Sequence, residues 1–239
     1  MSDLLDFAIE AHGGWKRWQE IKGISAQAAI GGGLWHLKGW PDALAKTHVS
    51  IDPHHPIAKY VRFGGDDRSS LFESDRVALF SGDGNMIEER AAPREAFKHH
   101  TLTTPWDALD LAYFSGYAMW NYLTAPFLFK MPGFQSKEIE PWNEGSETWR
   151  RLHVTFPGEI PAHSREQTFY FDETGLLRRN DYSVDIIGGT SSANYALEPK
   201  TFGGIVFPTK RRVYAKDSDN KPLLDRIAVA IDLQSIDVS

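Results

Sequence analysis

Apolar positions along the chain fall into three textures, and each predicts a different element. Leu4, Leu5, Ala8, Ile9 and Ala11 recur at helical spacing behind Ser2, Asp3 and Asp6, a helix start with an N-cap and acids at the positive end of the dipole. Gly13-Gly14 ends that helix, and WKRWQEI adds a short second turn with Trp15 and Trp18 on one side. From residue 24 the pattern becomes short runs bounded by turn signals. Strands are predicted over 25–40, 44–51, 57–63, 69–73, 76–81 and 86–90. RVALF-SGDGN-MIEER reads as the clearest hairpin, while Gly31-Gly32-Gly33 reads as a bulge or turn.

The middle of the chain is the most apolar part. Residues 111–129 hold no charged side chain, in a sequence that is 24% charged, so something has to cover them. Thr104-Pro105-Trp106-Asp107 predicts a helix start with Thr104 as the cap. Trp106, Leu109, Tyr113, Tyr117 and Trp120 follow near helical spacing, with a bend or break expected at Ser115-Gly116 and a kink or stop at Pro126. The run approaches the ~20 residues of a membrane span, but Ser115, Gly116, Asn121, Thr124 and Pro126 argue against stable insertion. Residues 132–147 read as a returning loop. WRRLHVTF, HSREQTFYFD, LLRRNDYSVDII, VFPTKRRVYA and DRIAVAIDL then read as strands, and Ile227, Val229, Ile231 and Leu233 alternate with polar or small residues. The fold class expected is mainly β (α+β): a single domain over residues 1–239, with ten or more antiparallel strands around central helices.

The succession TFYFDETGLLRRNDYSV, FGGIVFPTKRRVYA and a closing alternating strand resembles the lipoprotein-carrier-like (Lol-like) superfamily. The opening AIEAHGGWKRWQEIKGISA is similar to helix openings among its distant bacterial relatives. That resemblance implies a strongly curved antiparallel sheet, an incomplete barrel closed by helices around an apolar cavity for acyl chains or other greasy ligands.

Composition narrows the chemistry. A net charge of -6 without a clustered basic face speaks against a nucleic-acid partner. There is no cysteine, which excludes disulfides, thiolate zinc sites and a Cys nucleophile. The acidic N-terminus lacks the basic start of a signal peptide, so a cytoplasmic location is expected. His54-His55 and His99-His100 lack metal-ligand spacing; no metal and no cofactor are expected.

The partner expected is a small apolar molecule or lipid. Its candidate binding residues are Trp106, Tyr113, Tyr117, Trp120, Asn121, Tyr122, Gln167 and Phe169: flat rings, a buried amide and an apolar wall with a polar end. The competing reading of the ring stripe is plain core packing. For an enzyme, His163, Arg165 and Asp181 are the acid–base candidates, with His163, Arg165, Gln167, Phe169 and Phe171 placed on one strand face. A filled core serving protein interaction is the third reading.

Overall fold

The structure, a computed structural model, describes residues 3–239. The Ser2 cap lies outside them. Helices α1 (Asp3–Ala11) and α2 (Trp15–Glu20) precede strand β1 (Ile24–Gly31), and a short helix α3 (Gly33–Leu37) follows it. Strands β2 (Leu44–Asp52), β3 (Ile57–Val61), β4 (Arg68–Glu73), β5 (Arg76–Ser81) and β6 (Met86–Ala91) form a meander. Helix α4 (Ala108–Thr124) then crosses to β7 (Gln135–Glu144), β8 (Glu147–Thr155), β9 (Glu166–Phe171) and β10 (Leu177–Val184). Strands β11 (Thr190–Phe202), β12 (Ile205–Ala215) and β13 (Val229–Val238) complete the chain.

All thirteen strands belong to one antiparallel sheet in the order β6-β5-β4-β3-β2-β1-β13-β12-β11-β10-β9-β8-β7. The first and last strands of the chain therefore pair at its middle, and β6 and β7 remain as open edges. The sheet bends around α4. Tyr60 of β3 donates its hydroxyl to the Ser115 carbonyl on one side of the helix, while Tyr182 of β10 and Arg211 of β12 reach Tyr122 on the other. A flat sheet would not bring strands so far apart in its order to one helix.

Helix α4 is buried on every side: each residue from Leu109 to Thr124 is buried. Its start differs from the expected one. Asp107, not Thr104, is the N-cap, in a capping box with Asp110, and Arg90 of β6 binds both carboxylates at 2.5 and 2.8 Å. It also runs unbroken through Ser115-Gly116. Gly116 is where the Phe72 side chain of β4 lies against the helix: a Cβ there would stand 2.5 Å from the Phe72 Cγ and closer still to its Cβ. The break expected at this glycine is a close packing contact instead.

Three further corrections concern strands. The 25–40 run splits, because Gly32 at φ 117° turns the chain into α3 after β1. Residues 135–144 form the edge strand β7 rather than a loop; an edge tolerates Pro141, and the register shifts between Ile139 and Trp142. Strand β11 is an addition to the expected set. Its inner face is Ser192, Asn194 and Ala196, too small and polar to give an apolar alternation.

Candidate functional site

The two faces of α4 differ, and the difference makes the site. At 100° per residue, Trp106, Leu109, Tyr113, Tyr117 and Trp120 fall on one side, while Ser115, Ala118, Met119 and Tyr122 fall roughly 180° away. The ring-bearing side fills space. Tyr113 packs on Phe72 and Phe97, and the indole of Trp120 donates to the Asp52 carbonyl at 2.8 Å. The side with small residues leaves a cavity of about 60 Å³ against the inner face of the sheet. Ile30, Val213, Val229 and Ile231 form its floor, Leu34 and Trp35 of α3 one wall, and Tyr182, Val184 and His163 the other. Lys38 clasps the carbonyls of Thr101 and Thr104 at 2.9 and 3.0 Å, which sets the partly exposed Leu102 at the rim.

One end of this apolar space is bounded by a buried polar chain. His163 is 2% exposed and sits in the segment before β9. Its Nδ1 is 3.1 Å from the Tyr117 hydroxyl and its Nε2 is 2.8 Å from the Tyr122 hydroxyl. Tyr122 is in turn 2.7 Å from the Tyr182 hydroxyl, and the Tyr182 ring stacks on the imidazole with centroids 4.0 Å apart. Burial first, and the nearby Arg94 guanidinium second, push the His163 imidazole down to about 3. The three phenols are driven the other way, chiefly by burial. The whole chain is therefore neutral at neutral pH.

Behind Tyr122 lies a void of only about 10 Å³, lined by Asn121, Gln167, Phe169, Asn180 and Arg211. Arg211 is fully buried and has no carboxylate partner among the described residues. Its Nη2 donates to the Tyr122 carbonyl at 3.0 Å and its guanidinium lies 4.6 Å from the Tyr122 ring centroid. That carbonyl would ordinarily receive the amide of residue 126, which is Pro126 and has no N–H. Arg211 supplies the missing donor, and a cation suits the negative end of a helix. Desolvation draws its guanidinium down to about 10.

The residues singled out by sequence separate into several places. Tyr122 lines the cavity, and with Asn121, Gln167 and Phe169 it lines the small void behind. Tyr117 touches His163 but faces away from the cavity, and Trp120 and Trp106 are core, the latter against Trp35, Phe97 and Phe114. Tyr113 lines an outer groove of about 730 Å³, where Arg94 bonds the Ala162 carbonyl. His163, Arg165 and Asp181 do not converge. Arg165 is exposed, because β9 begins at Glu166 and not at His163. Asp181 faces outward into an ion cluster with Arg179 at 2.6 Å and Lys216 at 2.8 Å. Among the described residues no carboxylate lies within hydrogen-bond reach of His163, since tyrosines occupy both ring nitrogens. The sequence reading misses Ala118, Met119, Trp35 and the floor strands. Ala118 and Met119 do share the face of Ser115 and Tyr122, but rings draw the eye before small residues do.

No family model matches the sequence, and no curated protein matches it. Solved structures do. A putative outer membrane lipoprotein-sorting protein domain from Vibrio parahaemolyticus superposes with a TM-score of 0.58 at 8% identity, covering 98% of this chain and 92% of that one. The fold is LolA-like. A DUF1329 family protein from Desulfovibrio piger gives 0.54 at 11% identity, with 99% and 92% covered. A LolA superfamily protein from Nitrosomonas europaea gives 0.53 at 11%, again with 99% and 92% covered. The LolA-like sheet here is mainly β with few helices, as the resemblance in the sequence implied. Among the described residues no helix is long and apolar enough to cross a membrane, and no three metal-ligating side chains converge.

The neutral state of His163 has a consequence for stability. In the unfolded chain a histidine takes up a proton near pH 6.5, whereas folded His163 resists it until about 3 and His12, also buried, until about 4. Below pH 6.5 the unfolded state binds more protons, so stability is full above that value and falls as the pH drops toward 4 and 3. At pH 5 each histidine removes about 2 kcal/mol. Urea unfolding between pH 7 and 5 is expected to show this slope, and His163→Gln to show about half of it.

Proposed function

We propose that this protein binds a small apolar or lipid-like molecule between the small-residue face of α4 and the concave face of the sheet. The observation that supports this most is the apolar cavity itself, placed where a curved sheet faces a helix that it encloses. The likeness to lipoprotein-sorting and LolA superfamily structures supports the same reading through the fold.

Size sets a condition on the proposal. An apolar cavity of about 150 Å³ is what benzene needs, and this one is about 60 Å³. A greasy ligand of any length therefore requires the walls to yield. Met119 is unbranched and readily repacks, and Leu102 at the rim is already 39% exposed; these are the parts of the wall with freedom to move. A cytoplasmic location belongs to the same proposal, and cell fractionation checks it.

Organic extraction of the purified protein followed by mass spectrometry should release a small apolar species. Titration with fatty alcohols, fatty acids and steroids should change the intrinsic tryptophan fluorescence, since Trp35 lines the wall. No extracted species and no binder in the panel at micromolar concentration contradicts the proposal.

A further inference from the structure

Arg211 carries a buried charge with no opposite charge beside it among the described residues. It belongs to a band of polar side chains that four neighbouring strands place on the concave face: Gln167 of β9, Asn180 of β10, Asn194 of β11 and Arg211 of β12, all buried. Three members of the band are amides and none is an acid. Asn180 donates to Gln167 at 3.1 Å, and Gln167 donates to the Ser164 carbonyl at 3.1 Å, so these amides are engaged with neutral groups. The titratable neighbours of the guanidinium are Tyr122, Tyr182, His12 and His163. Burial keeps each of them uncharged at neutral pH.

The helix end does not account for this charge. The bond from Nη2 to the Tyr122 carbonyl uses one of five guanidinium N–H groups, and it is the one hydrogen bond the side chain makes among the described residues. A neutral amide could supply the same donor. The Tyr122 ring, 4.6 Å away, adds a cation–π contact, which is weaker than the cost of taking a lone cation out of water. An anion would offset that cost, and Arg211 lines the void behind Tyr122. Tyr122 and His163 line both this void and the apolar cavity, so they form the partition between the two. At about 10 Å³ the void admits no more than one water-sized group. A larger anion reaches Arg211 from the cavity side by moving the Tyr122 ring.

We propose that Arg211 anchors a carboxylate at the end of the cavity's guest, a hydrocarbon bearing a single acid group, which displaces the Tyr122 ring from the guanidinium. The proposal rests on the cavity-binding reading and adds to it the charge and head group of the ligand. A planar guanidinium pairs with a carboxylate through two parallel N–H···O bonds, while the hydrocarbon occupies the apolar space on the other side of Tyr122.

The test titrates decanoate, decanol and acetate calorimetrically into the wild type, Arg211→Gln and Arg211→Lys. Decanoate is expected to bind the wild type about tenfold or more tightly than decanol. That preference should vanish in Arg211→Gln, which removes the charge, and survive in part in Arg211→Lys, which keeps it. Carboxyl-labelled decanoate bound to the wild type, followed by ¹³C NMR from pH 7 to 5, gives a readout that needs no variant to fold. Paired with Arg211 the carboxyl stays ionised throughout, whereas a carboxyl merely enclosed in apolar space is pushed up and takes up its proton in that range. Acetate binding as tightly as decanoate would make Arg211 a site for a free anion and overturn the anchored guest. Decanol binding as tightly as decanoate, or protonation of the bound label, overturns the carboxylate anchor while leaving the cavity reading intact. Failure of both ten-carbon probes to bind the wild type contradicts the cavity reading itself, and the anchor with it.

Discussion

Trp120→Ala is expected to remove about 4 kcal/mol of unfolding free energy. The indole is completely buried on the ring-bearing side of α4. Truncation loses its buried area and leaves a void that a helix enclosed on all sides cannot collapse into. It also strands the Asp52 carbonyl at the end of β2, which accepts the indole N–H at 2.8 Å. Trp120→Phe retains most of the area and loses the hydrogen bond, so a smaller loss of about 1–2 kcal/mol is expected. Urea titrations of the three proteins measure both. Since whole domains carry only about 5–15 kcal/mol, the alanine variant should be close to unfolding at 37 °C. A loss below about 1 kcal/mol would mean that this face of α4 is not the packed side.

Gly116→Ala is the second large effect, and its sign runs against helix propensity. Alanine in place of a mid-helix glycine ordinarily gains about 1 kcal/mol. Here the new carbon meets Phe72 Cγ at 2.5 Å and its Cβ closer still, atoms held by the β4 backbone. Either α4 or β4 must shift, and overpacking of this kind costs about 1–3 kcal/mol beyond the propensity gain. A net destabilisation is expected in urea, with a shift of tryptophan emission as the helix is displaced. Gly31→Ala is the control: an added carbon there meets nothing within 4 Å. Equal stability of the two variants would contradict the close approach of helix and sheet.

Helix α1, the β5–β6 hairpin and the stop at Pro126 are legible in the chain pattern because local signals and tertiary structure agree there. The start of α4 is displaced by three residues from its local signal. Thr104-Pro105 resembles a cap, but the Asp107–Asp110 box is reinforced by Arg90 from a distant strand, which no local reading contains. Strands β7 and β11 escape notice for opposite reasons. The first is an exposed edge with little apolar content, and the second buries small and polar side chains.

The site is half legible. Tyr122, Asn121, Gln167 and Phe169 stand out in the sequence and do line enclosed space, whereas Trp106 and Trp120 stand out for their rings and pack in the core, and Tyr113 lines the separate outer groove. Space in a protein interior is made by what is small. Ser115 and Ala118 define the cavity by leaving room, a signal that only the opposed faces of α4 reveal. His163 reads as an acid–base residue, but burial beside Tyr117 and Tyr122, which occupy both its ring nitrogens, keeps it neutral and away from any carboxylate.

Calorimetric titration of the wild type and Ala118→Leu with an apolar series from cyclohexane to decanol bears most directly on the cavity as a binding site. Leucine at 118 extends from the small face of α4 into the space of about 60 Å³, so the variant should fold with unchanged or slightly raised stability. The expected result is at least one micromolar binder of the wild type whose affinity falls about tenfold or more in Ala118→Leu. Equal binding by the two proteins, or none by either, would contradict a guest held between α4 and the sheet.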